Sequence, residues 1–188
     1  MAVHESGHAV TARFSAETEP LQRVSILPRG MPLGATQQLP GEERHLMTQP
    51  QLESRLRVFM GGYAAERLVL GNVSTGAESD LKEATRLASK MVANYGMSAS
   101  LGPVYYEHEA EHPFLGQRIA TDGGASDATL HSIESEARGV LAAALATASE
   151  MLSAHRAELT SLEQALLERE TLERSDLDVL WQQSEQHG

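Results

Sequence analysis

The chain contains no cysteine, which excludes disulfide staples and thiolate-bound metal and fits a reducing compartment. No apolar run approaches the 18 or so residues that would cross a bilayer. The opening residues show neither the basic start nor the apolar stretch of a secretory leader. Basic residues are outnumbered, 15 Lys and Arg against 26 Asp and Glu, for a formal charge of −11. They stand singly rather than in a patch, so nucleic acid is not an expected partner. No internal repeat is evident.

What is present is a globular composition, 41% hydrophobic and 22% charged over 188 residues, enough for one sizeable core or two small ones. The stretch that organises it is His4-Glu5-Ser6-Gly7-His8. Two histidines four apart on a helix project from one face, a turn from each other. Both imidazoles can then close on one metal ion while Glu5 reaches a water beside it. The spacing predicts a helix from Ala2 to Ser15, with Val3, Gly7, Val10 and Phe14 on its apolar side. Gly7 costs that helix about 1 kcal/mol relative to alanine, which close approach of another backbone or of a substrate would explain. A metal motif beginning at residue 4 leaves little room for a first turn, so a piece of a longer polypeptide is expected.

The same letters recur at His108-Glu109-Ala110-Glu111-His112. There Pro113 pushes His112 out of helical geometry, and the surroundings are acidic, rich in glycine and proline, and without an apolar face. Histidines not held one turn apart have no reason to share an ion, so the first copy is the expected metal site and the second a solvated loop. His45, His131, His155 and His187 are isolated, with surface or packing roles expected.

Further along, Arg23–Leu27 reads as a strand, residues 28–32 as a turn and Leu33–Leu39 as a returning strand. Such a hairpin must lean on helices; it is either an ordinary surface feature or an edge that accepts an extended peptide. Thr48, Pro50 and Gln51 form a helix start with a capping box. Leu52, Leu56, Phe59 and Met60 give that helix an apolar face, and Gly61-Gly62 either break it or let it pack closely before a stop at Gly71. A polar loop leads to a helix from about Glu78 to Tyr95, with Leu81, Ala84, Leu87, Ala88, Met91 and Val92 as its buried stripe. Asp80 shares a line with Ala84, Leu87 and Met91. A carboxylate on an apolar side needs a reason, either the helix dipole or a metal. Residues 97–125 read as irregular, and residues 126–188 as helical, in segments ending near Ala154 and Arg169 and a short one capped by Ser175.

A catalytic zinc takes three protein ligands and keeps a position open. His4 and His8 supply two. Asp80, Glu66, Glu17 and Glu19 are the candidates for the third; Glu17 and Glu19 lie in a turn and read as solvated, and spacing alone does not choose between Glu66 and Asp80.

Taken in order, the motifs resemble one family nearly end to end. They are His4–Val10, Val24–Gly30 with Leu33-Gly34, Gly61-Gly62 with Ala65-Glu66, Ser74–Ala77 leading to Asp80-Leu81, Ala84-Thr85, Met91-Val92, Gly96–Ser98, Leu101–Pro103, Phe114–Gly116 and Leu166–Leu172. The family is the peptidase domain of the FtsH-type ATP-dependent zinc metalloproteases, peptidase family M41. The resemblance implies Zn2+ held by His4, His8 and Asp80, Glu5 as general base, and Glu66 beside the site as an acceptor for a ligand histidine. It implies that the hairpin borders the substrate cleft. It also implies a zinc endopeptidase that degrades unfolded polypeptides in a homo-hexamer, fed by an AAA+ ATPase module and tied to a membrane by segments outside these residues. The domain itself would then be soluble, on the cytoplasmic side or in an equivalent organelle interior. No glycine-rich phosphate loop occurs in this chain. The chain departs from the family at Val3, Ser6, Tyr63, Arg67 and Ser79, none of them a ligand or the base. A non-proteolytic scaffold or substrate-docking relative is the alternative; loss of Glu5, a histidine or Asp80 would favour it, and all are present. The expected fold is mostly α, a single domain over 1–188 with metal site and cleft in 1–120, a small β-hairpin beside the metal helix, and a C-terminal helical bundle over 126–188.

Overall fold

The computed structural model describes residues 1–27, 46–106 and 125–185. The returning strand expected over 33–39, the turn before it, and the second His-Glu-x-x-His copy lie outside the described residues.

The helix with the two histidines, α1 (Ala2–Phe14), is buried nearly all round, from Ala2 to Ala12 with only Glu5 half-exposed among them. The expected single apolar side is thus too narrow, because α1 lies between other helices. It packs on α2 (Gln49–Leu70) and on α5 (Arg156–Arg169), with α4 (Asp127–Ala154) also in contact. Small residues make this position possible. A Cβ on Gly7 would overlap the Gly61 carbonyl and the Ala65 side chain. One on Gly61 would stand 2.7 Å from both the Gly7 oxygen and Thr11 Oγ1. The backbones of α1 and α2 therefore meet directly, and the Gly61-Gly62 pair permits the crossing without breaking α2.

Helix α2 begins as its sequence predicts. Thr48 caps it in a reciprocal capping box with Gln51, the Thr48 N–H donating to Gln51 Oε1 at 2.8 Å. It ends at Gly71, whose φ of 70° is the left-handed conformation a helix stop requires. A 3-10 turn, Thr75–Ala77, leads into α3 (Glu78–Ala93). Ala84, Ala88, Met91 and Val92 of α3 are buried as expected. Leu81 is not: it is 38% exposed, because the inward line at this end of α3 passes through Asp80 and Ala84 instead.

Strand β1 (Arg23–Ser25) pairs antiparallel with β2 (Thr171–Glu173), Val24 opposite Leu172. The C-terminal region is thus not helical throughout, and the described partner of the first strand comes from some 150 residues away. A left-handed residue at the end of α5, Glu170 with φ 58°, turns the chain into β2. Its carbonyl accepts the Ile26 N–H at 2.9 Å. Val24 and Leu172 bury their side chains, and α6 (Arg174–Glu185) follows at once, one residue ahead of its expected cap. Leu159, Leu162, Leu166, Leu172 and Leu177 line the side of the core behind α1, with Leu56, Met91 and Leu152 among its other fully buried members. Of the isolated histidines, His155 packs, stacked on Phe14 with ring centroids 3.5 Å apart, whereas His131 is exposed.

Candidate metal centre

His4 and His8 stand one turn apart on α1, 5% and 8% exposed, and face the start of α3. His4 Nε2 lies 3.0 Å from His8 Nε2 and 3.1 Å from Asp80 Oδ2, and His8 Nε2 lies 3.3 Å from the same oxygen. Of the four candidates for a third ligand, Asp80 is the one whose carboxylate groups with both histidines, one donor atom from each residue lying within 4.8 Å of the others. Glu17 and Glu19 are exposed and stand apart from this group.

The outer nitrogens of both rings are fixed. His8 Nδ1 is 2.7 Å from the Val58 carbonyl oxygen, which can only accept, so the proton of neutral His8 sits on Nδ1. His4 Nδ1 lies 3.0 Å from Glu66 Oε1, and a carboxylate likewise calls for an N–H. In the neutral rings both Nε2 lone pairs then point at each other and at a carboxylate oxygen. Three electron-rich atoms in a buried space are stable only around a proton or a cation. A tetrahedral zinc with bonds of about 2.0–2.1 Å separates its donors by about 3.3–3.4 Å, close to the 3.0, 3.1 and 3.3 Å found here. Two imidazoles and one carboxylate suit zinc in kind as well, and are too few and too nitrogen-rich for calcium.

The electrostatics follow from the same contacts. Burial alone would raise the Asp80 carboxyl, but hydrogen bonds and charge from His4 and His8 outweigh it and hold Asp80 well below the usual carboxylate range. Burial would lower His8; the hydrogen bond and charge of Asp80, the Val58 carbonyl and the Glu5 charge reverse that and raise it. Glu5 is raised by burial, against the lowering charges of His8 and His4. Its carboxylate makes no hydrogen bond among the described residues.

Glu66 is 3% exposed at the inner side of α2. Besides facing His4, it accepts the Ser74 N–H on Oε2 at 2.6 Å and the Ser74 hydroxyl on Oε1 at 2.9 Å. These donors and His4 outweigh the upward effect of burial and keep Glu66 below its ordinary value. Sequence reasoning found Glu66 but missed Ser74 and the Val58 carbonyl. Ser74 carried a signal, a serine opening the short turn before Asp80; a backbone carbonyl carries none.

Fold and donor set together place the chain among helical domains of the His-Glu-x-x-His metallopeptidase class. The chain belongs to peptidase family M41, whose family model matches residues 1–180. It is similar to the ATP-dependent zinc metalloprotease FtsH of Pelobacter propionicus, 45% identical over 179 residues, covering 95% of this chain and 29% of that protein. The FtsH of Nitrosococcus oceani is 42% identical over 181 residues, 96% of this chain and 28% of the relative. FtsH 4 of Sphaerobacter thermophilus is 45% identical over 172 residues, 92% and 26% respectively. The chain thus spans under a third of the length of these curated relatives. No helix among the described residues is long and apolar enough to cross a membrane.

Proposed function

We propose that this chain is a zinc-dependent endopeptidase domain in which His4, His8 and Asp80 hold the metal and Glu5 is the general base. The observation that carries the reading is the convergence of those three donor atoms within 4.8 Å, with Glu5 on the same turn of α1 as His4. Zinc bound there supplies a Lewis acid that polarises a scissile carbonyl and acidifies water. Glu5, half-buried and without a hydrogen-bonding partner among the described residues, accepts the proton of the attacking water and hands it to the leaving amine. The Val58 carbonyl and Glu66 keep both imidazoles in the tautomer that presents Nε2 to the metal.

The names of the relatives, ATP-dependent zinc metalloproteases, support coupling to an AAA+ ATPase module in the full-length protein. The substrates are then unfolded polypeptides delivered by that module, the assembly a homo-hexamer, and the membrane reached through other segments.

The test compares wild type with Glu5→Gln for zinc content and for degradation of a permanently unfolded protein, alone and joined to the ATPase module of a relative. Equal zinc in both, with hydrolysis in wild type only, is expected. A wild type that binds zinc yet cuts no faster than the variant, with the ATPase supplied, overturns the protease reading.

A further inference from the structure

Gly61 and Gly62 are adjacent, both buried in the middle of α2, and mid-helix glycine costs about 1 kcal/mol each relative to alanine. Gly61 is explained by the helix crossing. Gly62 is not, because its missing side chain points elsewhere. A Cβ there would meet no backbone of α1 within its three nearest contacts; it would lie 2.6 Å from His4 Cε1, 2.6 Å from His4 Nε2 and 2.7 Å from His8 Nε2. Those are the ligating edges of both rings. Carbon–nitrogen contact needs more than 3 Å, and neither ring is free to yield: His4 is tied to Glu66 at 3.0 Å and His8 to the Val58 carbonyl at 2.7 Å. A methyl group at 62 would therefore displace the Nε2 atoms from each other and from Asp80.

We propose that Gly62 is a positioning residue of the metal centre: its bare Cα forms the wall against which both imidazoles are set, and any side chain there destroys the ligand geometry while leaving the fold intact. Two neighbouring glycines thus divide the work, Gly61 serving the packing of α1 on α2 and Gly62 serving the ligands. The role rests on His4, His8 and Asp80 being the metal ligands.

The experiment measures Zn2+ affinity by competition with a chromophoric chelator for wild type, Gly62→Ala, Gly61→Ala and Asp80→Asn. Thermal unfolding of each is followed in excess EDTA. For Gly62→Ala the expected result is a loss of affinity of at least about tenfold, the scale of disturbing groups that orient metal ligands. Its metal-free melting temperature should stay within a few degrees of wild type, since the gain in helix propensity opposes the strain on the rings. Gly61→Ala should instead melt well below wild type even without metal. Gly62→Ala affinity within threefold of wild type overturns the proposal, as does a metal-free melting temperature lowered as far as that of Gly61→Ala. The ligand reading fails separately, if wild type binds no zinc or Asp80→Asn binds as wild type does.

Discussion

Replacing Glu66 by glutamine keeps its shape and changes one oxygen into an NH2 group, and the consequences can be worked through atom by atom. Oε2 receives the Ser74 N–H at 2.6 Å, while Oε1 receives the Ser74 hydroxyl at 2.9 Å and faces His4 Nδ1 at 3.0 Å. An amide nitrogen in place of Oε2 points its hydrogens at the Ser74 N–H; in place of Oε1 it points them at the His4 ring. The serine hydroxyl can rotate to accept, but neither N–H can. In either orientation one donor loses its partner: the buried His4 Nδ1–H, at about 1–3 kcal/mol, or the N–H of the exposed Ser74, which costs less because water can replace the lost acceptor. His4 can escape by moving its proton to Nε2, which removes the lone pair that faces Asp80. The loss then appears as weaker metal binding, about 10–100-fold for groups of this kind, or about 1.4–2.8 kcal/mol. Asp80→Asn, which strips charge from the proposed ligand itself, should cost more. Competition titration with a zinc chelator should order the proteins wild type, Glu66→Gln, Asp80→Asn from tightest to weakest. Glu66→Gln weaker than Asp80→Asn, or equal to wild type, would refute the reasoning.

Acidity should act on the metal-free chain from two sides. Glu66 and Asp80 are held below their ordinary values of 4.5 and 3.8, so their contributions are complete above those values and vanish as pH falls. His8 is held above 6.5, so its contribution is complete below 6.5 and is lost as pH rises through the folded value. In EDTA the urea midpoint should be greatest between about pH 4.5 and 6.5, and the gap between wild type and Glu66→Gln should close on acidification; a gap that widens below pH 4 would contradict the assignment. Leu172→Ala empties a site that is 0% exposed opposite Val24, and should cost about 2–5 kcal/mol in urea unfolding. A loss under 1 kcal/mol would mean that β1 does not depend on β2.

The parts of this structure that were legible in the sequence are those written in short-range chemistry. Thr48 with Gln51, Gly71 and the spacing of His4 and His8 each declare a local geometry, and each is realised. Asp80 was visible as an anomaly, an acid on the inward line of α3, although spacing could not prefer it to Glu66. Both do reach His4, one on each ring nitrogen, which is why each was a reasonable candidate. What failed depends on distant partners. Three residues of strand at 171–173 carry no period long enough to stand out between two helices, and their role exists only opposite Arg23–Ser25. The nearly complete burial of α1 was hidden for a similar reason, since Ala, Ser, Gly and Thr look neutral until helices close on both sides. Leu81 is the converse case, an apolar residue turned outward because Asp80 beside it takes the inner position.

The placing of α1 between α2 and α5 also sets a clock. Residue 156 follows residue 14 by about 140 positions, which a ribosome adding about 5–20 residues per second covers in about 7–30 s. Until residue 70 is made the histidine helix has neither wall, and from there to residue 156 it has one but not the other. A helix faced with leucine and phenylalanine would spend the wait as a sticky surface. In α1 only Val3, Val10 and Phe14 are large apolar residues, and Ala2, Ser6, Gly7, Ala9, Thr11 and Ala12 between them offer little for a neighbouring nascent chain to hold. The small side chains that let the two backbones touch in the finished domain thus also protect its unfinished form.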